Sequence, residues 1–349
     1  MNDVSADIIY SLVKSYAIKG ALLPIQTIEN LAESKDMEDL VSRLRGTIYS
    51  ENVSKVQKPY EADRLELAFR QHLAFVHYSL MKELPAPELL FAYYTKYIAW
   101  NLKTILKGKA LGKEYEELSR YIDLYAEELI GRRDLVVRAL ASKDLIEATD
   151  ILRESELEFE AESALNIFNE KGEIQIFDIY VDKALYEFIL ASLKKISKAD
   201  AKKCRSIIAI DVDSYNILTV FRSKLWGLTQ SQTRELIIKP TFDVKEDIID
   251  LMIDSESIVD ATVYLEETAY RSIIPITASE KEFITRLEDA FERLRRKKAL
   301  SPFIWDIFSL STILGIIKLK EIEVRNLSAI AFGVEQGAEP QNILRKLIL

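Results

Sequence analysis

EIEVRNLSAIAFGVEQG, residues 321–337, carries Asn326, then Gly333 seven residues on and Gly337 four residues after that. The same offsets occur in YIAWNLKTILKGKALG, residues 97–112, as Asn101, Gly108 and Gly112. They occur again in DSYNILTVFRSKLWG, residues 213–227, as Asn216, Ser223 and Gly227. On a helix, positions seven apart lie two turns apart on nearly one face. The asparagine then reads as a tie point, because its amide both donates and accepts. The small residue at Gly108, Ser223 or Gly333 reads as a place where a second backbone comes close. Gly112, Gly227 and Gly337 fall where the helix stops, at the position that takes a left-handed conformation. A structural role is favoured over a chemical one.

A second segment recurs independently. ESKDMEDLVSRLRGTIY, ending at Tyr49, is similar in type and order to ASKDLIEATDILRESEL and DSESIVDATVYLEETAY, and superposing them aligns Leu44, Leu152 and Leu265. Ser34, Ser142 and Ser255, or the residues two further on at 36, 144 and 257, can each cap a helix by accepting from a free backbone N–H. Met37, Leu40, Val41, Leu44 and Ile48 follow the spacing of one buried helix face, and Leu145, Ala148, Leu152 and Ile258, Ala261, Leu265 repeat the stripe.

Between the two motifs lies a longer helical stretch in each copy: RLELAFRQHLAFVHYSLMKEL, KALYEFILASLKKIS and ITRLEDAFERLRRKKAL. The expected organisation is all-α, with three similar helical domains over residues 1–120, 121–235 and 236–349. Units of this size can each hold a core, unlike solenoid repeats. Similar units contacting head to tail close into a ring when the rotation per unit is near a third of a turn. A pseudo-threefold, funnel-shaped ring with a central opening is therefore expected.

Composition agrees with a helical, globular chain. Of 349 residues, 48% are hydrophobic and 30% charged, with only 10 Gly and 8 Pro to break helices. A net charge of −9 makes nucleic acid a poor partner. The single cysteine, Cys204, leaves no intrachain disulfide and points to a reducing compartment, by default the cytoplasm. Asp3 and Asp7 stand where a signal peptide carries basic residues, so no targeting segment is expected. FIWDIFSLSTILGII, residues 303–317, is too short and too interrupted by Asp306 for a membrane span and reads as a buried core helix.

No catalytic constellation emerges, and no cofactor or metal site is expected. His72 and His77 are five apart, about 140° around a helix, and read as exposed or locally bonded side chains. Neither a GxGxxG nor a GxxxxGK[ST] phosphate cradle is present. Asp211 and Asp213 precede Asn216 as Glu321 and Glu323 precede Asn326, while the first copy has Lys96 and Ile98 there; these acids read as capping or solvated residues at a helix start. Asp247, Asp250 and Asp254 read as the wet face of an amphipathic helix. The basic run ERLRRKK, residues 292–298, fits the carbonyl end of a helix dipole, with phosphate or anionic lipid contact as an alternative.

The motif around SRLRGTIY, the NILTVFRSKLWGL stretch and EIEVRNLSAIAFG, in that order in an acidic helical chain, resemble the C subunit of the archaeal A-type ATP synthase, equivalent to the d subunit of vacuolar-type ATPases. The first copy matches less well, with Trp100 before the asparagine and no acids upstream. The resemblance implies a non-catalytic central-stalk subunit, present once per complex and peripheral on the cytoplasmic side of the cell membrane. Its socket would receive an axle made of the D and F subunits and couple it to the membrane rotor ring of proteolipid subunits during ATP-linked proton or sodium transport. The alternative is an all-helical scaffold or enzyme unrelated to rotary ATPases.

Overall fold

A chain with so few glycines and prolines offers few points at which a helix must end, and the long apolar-periodic stretches propagate accordingly. A computed structural model describes residues 6–153, 160–277 and 279–349, and every regular element among them is helical. Asp3 and residues 154–157 of the recurring segment's middle copy lie outside the described residues. Thirteen principal helices organise the rest: α1 (Ala6–Gly20), α2 (Ile25–Ala32), α3 (Met37–Leu44), α4 (Ala62–Met81), α5 (Lys96–Ala110), α6 (Asp134–Ala141), α7 (Leu145–Arg153), α8 (Ile176–Leu193), α9 (Lys198–Leu225), α10 (Glu246–Asp254), α11 (Ile258–Leu265), α12 (Glu280–Leu300) and α13 (Leu310–Glu335). Among the described residues, no single helix is long and apolar enough to cross a membrane.

The helices group into two compact units. One comprises Met1–Pro87, Tyr125–Ile130 and Arg296–Leu349; the other comprises Glu88–Leu124 and Gly131–Arg295. In the first unit, α13 packs most extensively on α4 and also touches α1, α2 and α3. In the second, α5 packs on α6, α7 and α8, and α9 packs on α10 and α11. A core that includes Phe221, Met252, Leu265, Leu287 and Phe291 joins α9 to α10, α11 and α12. Each long asparagine-bearing helix thus rests on a pair of short helices and one long one. For α5 and α9 these come later in the chain, whereas for α13 they come from its beginning.

The short pairs show why the second motif recurs. Asp36 and Asp144 accept the backbone N–H groups of Asp39 and Glu147 at 2.9 Å, and Ser257 accepts that of Asp260 at 3.1 Å. The caps therefore fall on 36, 144 and 257. Ser34, Ser142 and Ser255 instead donate 2.7 Å bonds back to the carbonyls of Leu31, Ala139 and Met252, closing the helix before. Leu44, Leu152 and Leu265 are buried. Ile48 departs from the expected stripe: α3 ends at Leu44, and Ile48 is 39% exposed. Asp247, Asp250 and Asp254 lie exposed on α10, and Arg234 pairs with the last two.

Residues 303–317 differ from expectation. They form two elements, a short turn of helix over Pro302–Trp305 and the start of α13. Asp306 ends the first, because its carbonyl is held by the Ser309 hydroxyl at 2.6 Å and the Thr312 hydroxyl at 3.0 Å. Residues 310–317 are buried as expected, but Ile304, Trp305, Ile307 and Phe308 are exposed. The segment also contains Gly315, where α13 crosses the end of α12: a Cβ there would lie 2.5 Å from the Ala299 carbonyl oxygen. Backbone cannot swing aside as a side chain can, so Gly315→Ala is expected to destabilise the protein by roughly 2 kcal/mol, read by chemical denaturation.

Candidate functional site

The repeated signature builds the same buried device three times. Asn216 donates from Nδ2 to the Ile238 carbonyl at 3.0 Å, and its Oδ1 accepts the Ile238 N–H at 2.9 Å. Asn326 makes the same pair with Ile348, both bonds at 2.9 Å. Asn101 donates to the Asp123 carbonyl at 2.8 Å. In all three the partner lies 22 residues further along the chain. The side-chain amide mimics a peptide group and receives a returning strand of backbone that has no ladder of its own to join.

The second part of the signature lets that backbone return. Gly112, Gly227 and Gly337 sit at φ of +70°, +65° and +63°, a left-handed conformation that an L side chain adopts only with strain. The N–H of the next residue closes on the carbonyl five positions back, Lys113 to Gly108, Leu228 to Ser223 and Ala338 to Gly333, each at 2.9 Å. This is the Schellman termination. Gly108 and Gly333 are approached by a side chain rather than by the second backbone expected: a Cβ at Gly108 would lie 2.1 Å from Leu118, and one at Gly333 would lie 2.6 Å from Ile343. In the second repeat the smaller Thr233 takes that place in the sequence, and Ser223 fits there, buried.

The acids upstream of the asparagines are a correction to the sequence reading. They do not start helices, and all but the partly exposed Glu321 are shut off from solvent. Because α9 begins at Lys198 and α13 at Leu310, Asp211, Asp213 and Glu323 fall inside long helices, where they are almost fully buried. Asp213 accepts the N–H groups of Phe242, Asp243 and Val244 and the Tyr270 hydroxyl at 2.9 Å. Glu323 accepts the Leu23 N–H at 2.6 Å, the Tyr49 hydroxyl at 2.7 Å and the Lys320 ammonium at 2.5 Å. Tyr49 and Tyr270 each follow an aligned leucine, Leu44 or Leu265, by five residues. Leu23 and Val244 also correspond under that alignment, so the start of the chain supplies to α13 what residues 242–244 supply to α9. In the first repeat the corresponding sequence positions carry Ile98 and Leu157, and Leu157 lies outside the described residues. Asp211 instead binds the Arg295 guanidinium at 2.7 Å and the Tyr93 hydroxyl at 2.9 Å.

Burial dominates the electrostatics here. It raises the Asp213 carboxyl above its usual range, although the surrounding N–H groups and Tyr270 pull the other way. Burial and Glu323 push the Tyr49 phenol up, and burial lowers the Lys320 ammonium against the pull of Glu323. His77 is fully buried, not exposed. His72 is half-buried against the Tyr49 ring, 4.5 Å between centroids. Among the described residues, no group of three or more His, Cys, Asp or Glu side chains converges as a metal would require.

Reasoning from sequence missed the tie partners Asp123, Ile238 and Ile348, and also Tyr49, Tyr270 and the lysines Lys109 and Lys224. Each lysine stands eight residues after its asparagine and donates to the carbonyl of Ser142 or Ser255 at 2.5 Å. The equal placement of the tyrosines after Leu44 and Leu265 was the available signal.

These features define a class: an all-helical protein in which a buried amide tie and a glycine-terminated long helix recur three times. The chain belongs to the ATP synthase (C/AC39) subunit family, which it matches over residues 13–346. It is 26% identical over 337 residues to the C subunit of the A-type ATP synthase of Methanosphaera stadtmanae, covering 95% of this chain and 84% of that one. It is 27% identical over 342 residues to the corresponding A-type ATP synthase C subunit of Pyrococcus abyssi, covering 96% and 88%. The Methanosarcina barkeri counterpart is 24% identical over 351 residues, covering 97% and 92%. Family membership removes the alternative of a helical scaffold or enzyme outside this group.

Two outcomes test the energetics. Asn216→Asp keeps the acceptor but presents a buried carboxylate to the Ile238 carbonyl, so it is expected to destabilise by roughly 3 kcal/mol at neutral pH. Because a buried carboxyl has a raised folded pKa, that penalty should shrink as pH falls toward the unfolded value of about 4. Denaturation curves across pH measure it. His72 has its pKa lowered from 6.5 to about 4, by burial first and Lys320 second. A base depressed in the fold stays neutral while the unfolded chain takes up a proton, so stability is full above 6.5 and lost as pH falls from 6.5 to about 4. The loss is roughly 3 kcal/mol, and His72→Gln should flatten that part of the pH–stability curve.

Proposed function

We propose that this protein is a non-catalytic central-stalk subunit of a rotary A/V-type ATP synthase or ATPase. It acts as a socket that couples an axle of D and F subunits to the membrane rotor ring during ATP-linked proton or sodium transport. In this reading it is peripheral on the cytoplasmic side of the membrane, held there through the complex in a single copy. Family membership across residues 13–346 carries the proposal. The relatives of Methanosphaera, Pyrococcus and Methanosarcina are each described as the C subunit of an A-type ATP synthase.

The packing of the repeats supports a ring. Taking the repeats as 1–120, 121–235 and 236–349, the asparagine helix of the first lies on helices of the second, and that of the second lies on helices of the third. The helix of the third, α13, lies on helices of the first. A last copy that lies on the first is what a closed ring of head-to-tail contacts requires. We propose that this cycle is pseudo-threefold and surrounds the socket. Interlocked helices tied by buried amides suit a part that must transmit torque without bending. The many acidic surface residues of a chain with net charge −9 would steer docking to basic partners.

Affinity purification of the tagged chain from membranes is expected to bring down the rotor-ring and axle subunits in stoichiometric amount. A monomer that captures neither overturns the proposal, and a rod-like profile in small-angle scattering overturns the funnel.

A further inference from the structure

The segment after α12 presents an unusual surface. Ile304, Trp305, Ile307 and Phe308 are 66%, 80%, 45% and 64% exposed, four large apolar side chains within five residues. They are not a fraying loop. The Asp306 N–H is held by the Pro302 carbonyl, and the Asp306 carbonyl by Ser309 and Thr312, so the turn displays them from a fixed frame. The apolar surface continues onto α1: Phe303 meets the Tyr16 ring edge-on at 5.3 Å, and Val13 and Ile9, about one and two turns upstream of Tyr16, are 63% and 48% exposed. Exposed apolar groups gathered in this way mark an interaction site.

Charge indicates what covers it. In a chain of net charge −9, Asp306 is the one acidic residue in the sequence from Arg293 to Phe308, and Arg296, Lys297 and Lys298 end α12 directly before the apolar turn. The Lys19 ammonium lies 4.7 Å from the Phe303 ring centre, adding a cation at the junction with α1. A second copy of the chain packed on this face about a twofold axis would set these cations against themselves. A bilayer containing anionic lipid matches both halves: tryptophan and phenylalanine settle at the boundary between headgroups and acyl chains, and lysine and arginine meet the phosphates.

We propose that residues 296–308, with the exposed face of α1, form a membrane-interface surface that contacts anionic lipid directly. This contact is separate from any hold through partner subunits and does not rest on the stalk reading. The turn lies on the surface without spanning, because neither flanking helix is apolar and long enough to cross.

The test uses the whole chain and two vesicle preparations, phosphatidylcholine alone and phosphatidylcholine mixed with phosphatidylglycerol. The protein is expected to sediment with the mixed vesicles at low salt, to be released at high salt, and to bind the neutral vesicles at least about tenfold more weakly. Tryptophan emission should shift to the blue on binding. Trp305→Phe should keep the sedimentation and lose the shift, assigning the signal to this turn. Trp305→Ser with Phe308→Ser, and separately Lys297→Glu with Lys298→Glu, should each weaken binding on the order of tenfold or more, with melting curves unchanged because the altered side chains carry little packing. Three results overturn the proposal: no sedimentation with the mixed vesicles, sedimentation unaffected by these variants, or patch-dependent self-association in ultracentrifugation in place of vesicle binding. A chain that captures axle and ring subunits but ignores both vesicles leaves the stalk reading standing and removes this one.

Discussion

A peptide group that leaves a helix and crosses a protein interior without a sheet to join must find hydrogen-bond partners, or it costs several kcal/mol to bury. In this chain the partner is a single carboxamide. Asn216 and Asn326 each satisfy both backbone groups of a residue 22 positions on, and Asn101 reaches the carbonyl at the same distance along the chain. The Schellman turn at Gly112, Gly227 or Gly337 sets the direction of return, and Gly108 and Gly333 before it leave space for Leu118 and Ile343 to cross the helix. Removing the amide would leave the peptide groups it serves without these hydrogen bonds.

The same economy governs the acids. Buried carboxylates are tolerable only when most of their lone pairs are occupied. Asp213 and Glu323 meet that condition by gathering backbone N–H groups from a nearby loop together with one tyrosine hydroxyl each. Here the termini matter: Leu23, near one end of the chain, gives α13 the N–H that Val244 gives α9. The acid of α13 is thus partnered by residues from early in the chain, whereas the acid of α9 is partnered by residues that follow it.

Much of this was visible in the sequence, though unevenly. Scarcity of glycine and proline indicated the all-helical class, and the asparagine-to-glycine offsets marked the three long helices. The sequence left open whether Ser34 or Asp36, and their counterparts, capped the short helices, because either can accept the bond; geometry selected 36, 144 and 257. Asp211, Asp213 and Glu323 depart from the sequence reading because a charged residue is by default solvated, and the one signal that Tyr270 or Tyr49 arrives from far along the chain is their equal spacing after Leu265 and Leu44. The FIWDIF segment was misread for the converse reason. Hydropathy cannot distinguish an apolar run that is buried from one that is displayed, and Asp306, taken as an interruption within a helix, is where one helix stops. The partners of the asparagines could not have been found from periodicity, since a separation of 22 reflects a turn and a return and not a regular element.

The first repeat shows what the polar devices contribute. It keeps Asn101, Gly108 and Gly112 but has Ile98 where the others have Asp213 and Glu323, and Leu157 where they have Tyr270 and Tyr49. An acid and its tyrosine have been exchanged together for two aliphatic residues, as expected if each member is tolerable only with its partner. Replacing a fully satisfied buried polar pair with apolar groups of suitable shape is often close to neutral in stability. The amide tie has no such apolar substitute, because a hydrocarbon cannot bond a peptide group. That asymmetry explains why the asparagine occurs in all three repeats while the acid–tyrosine pair occurs in two.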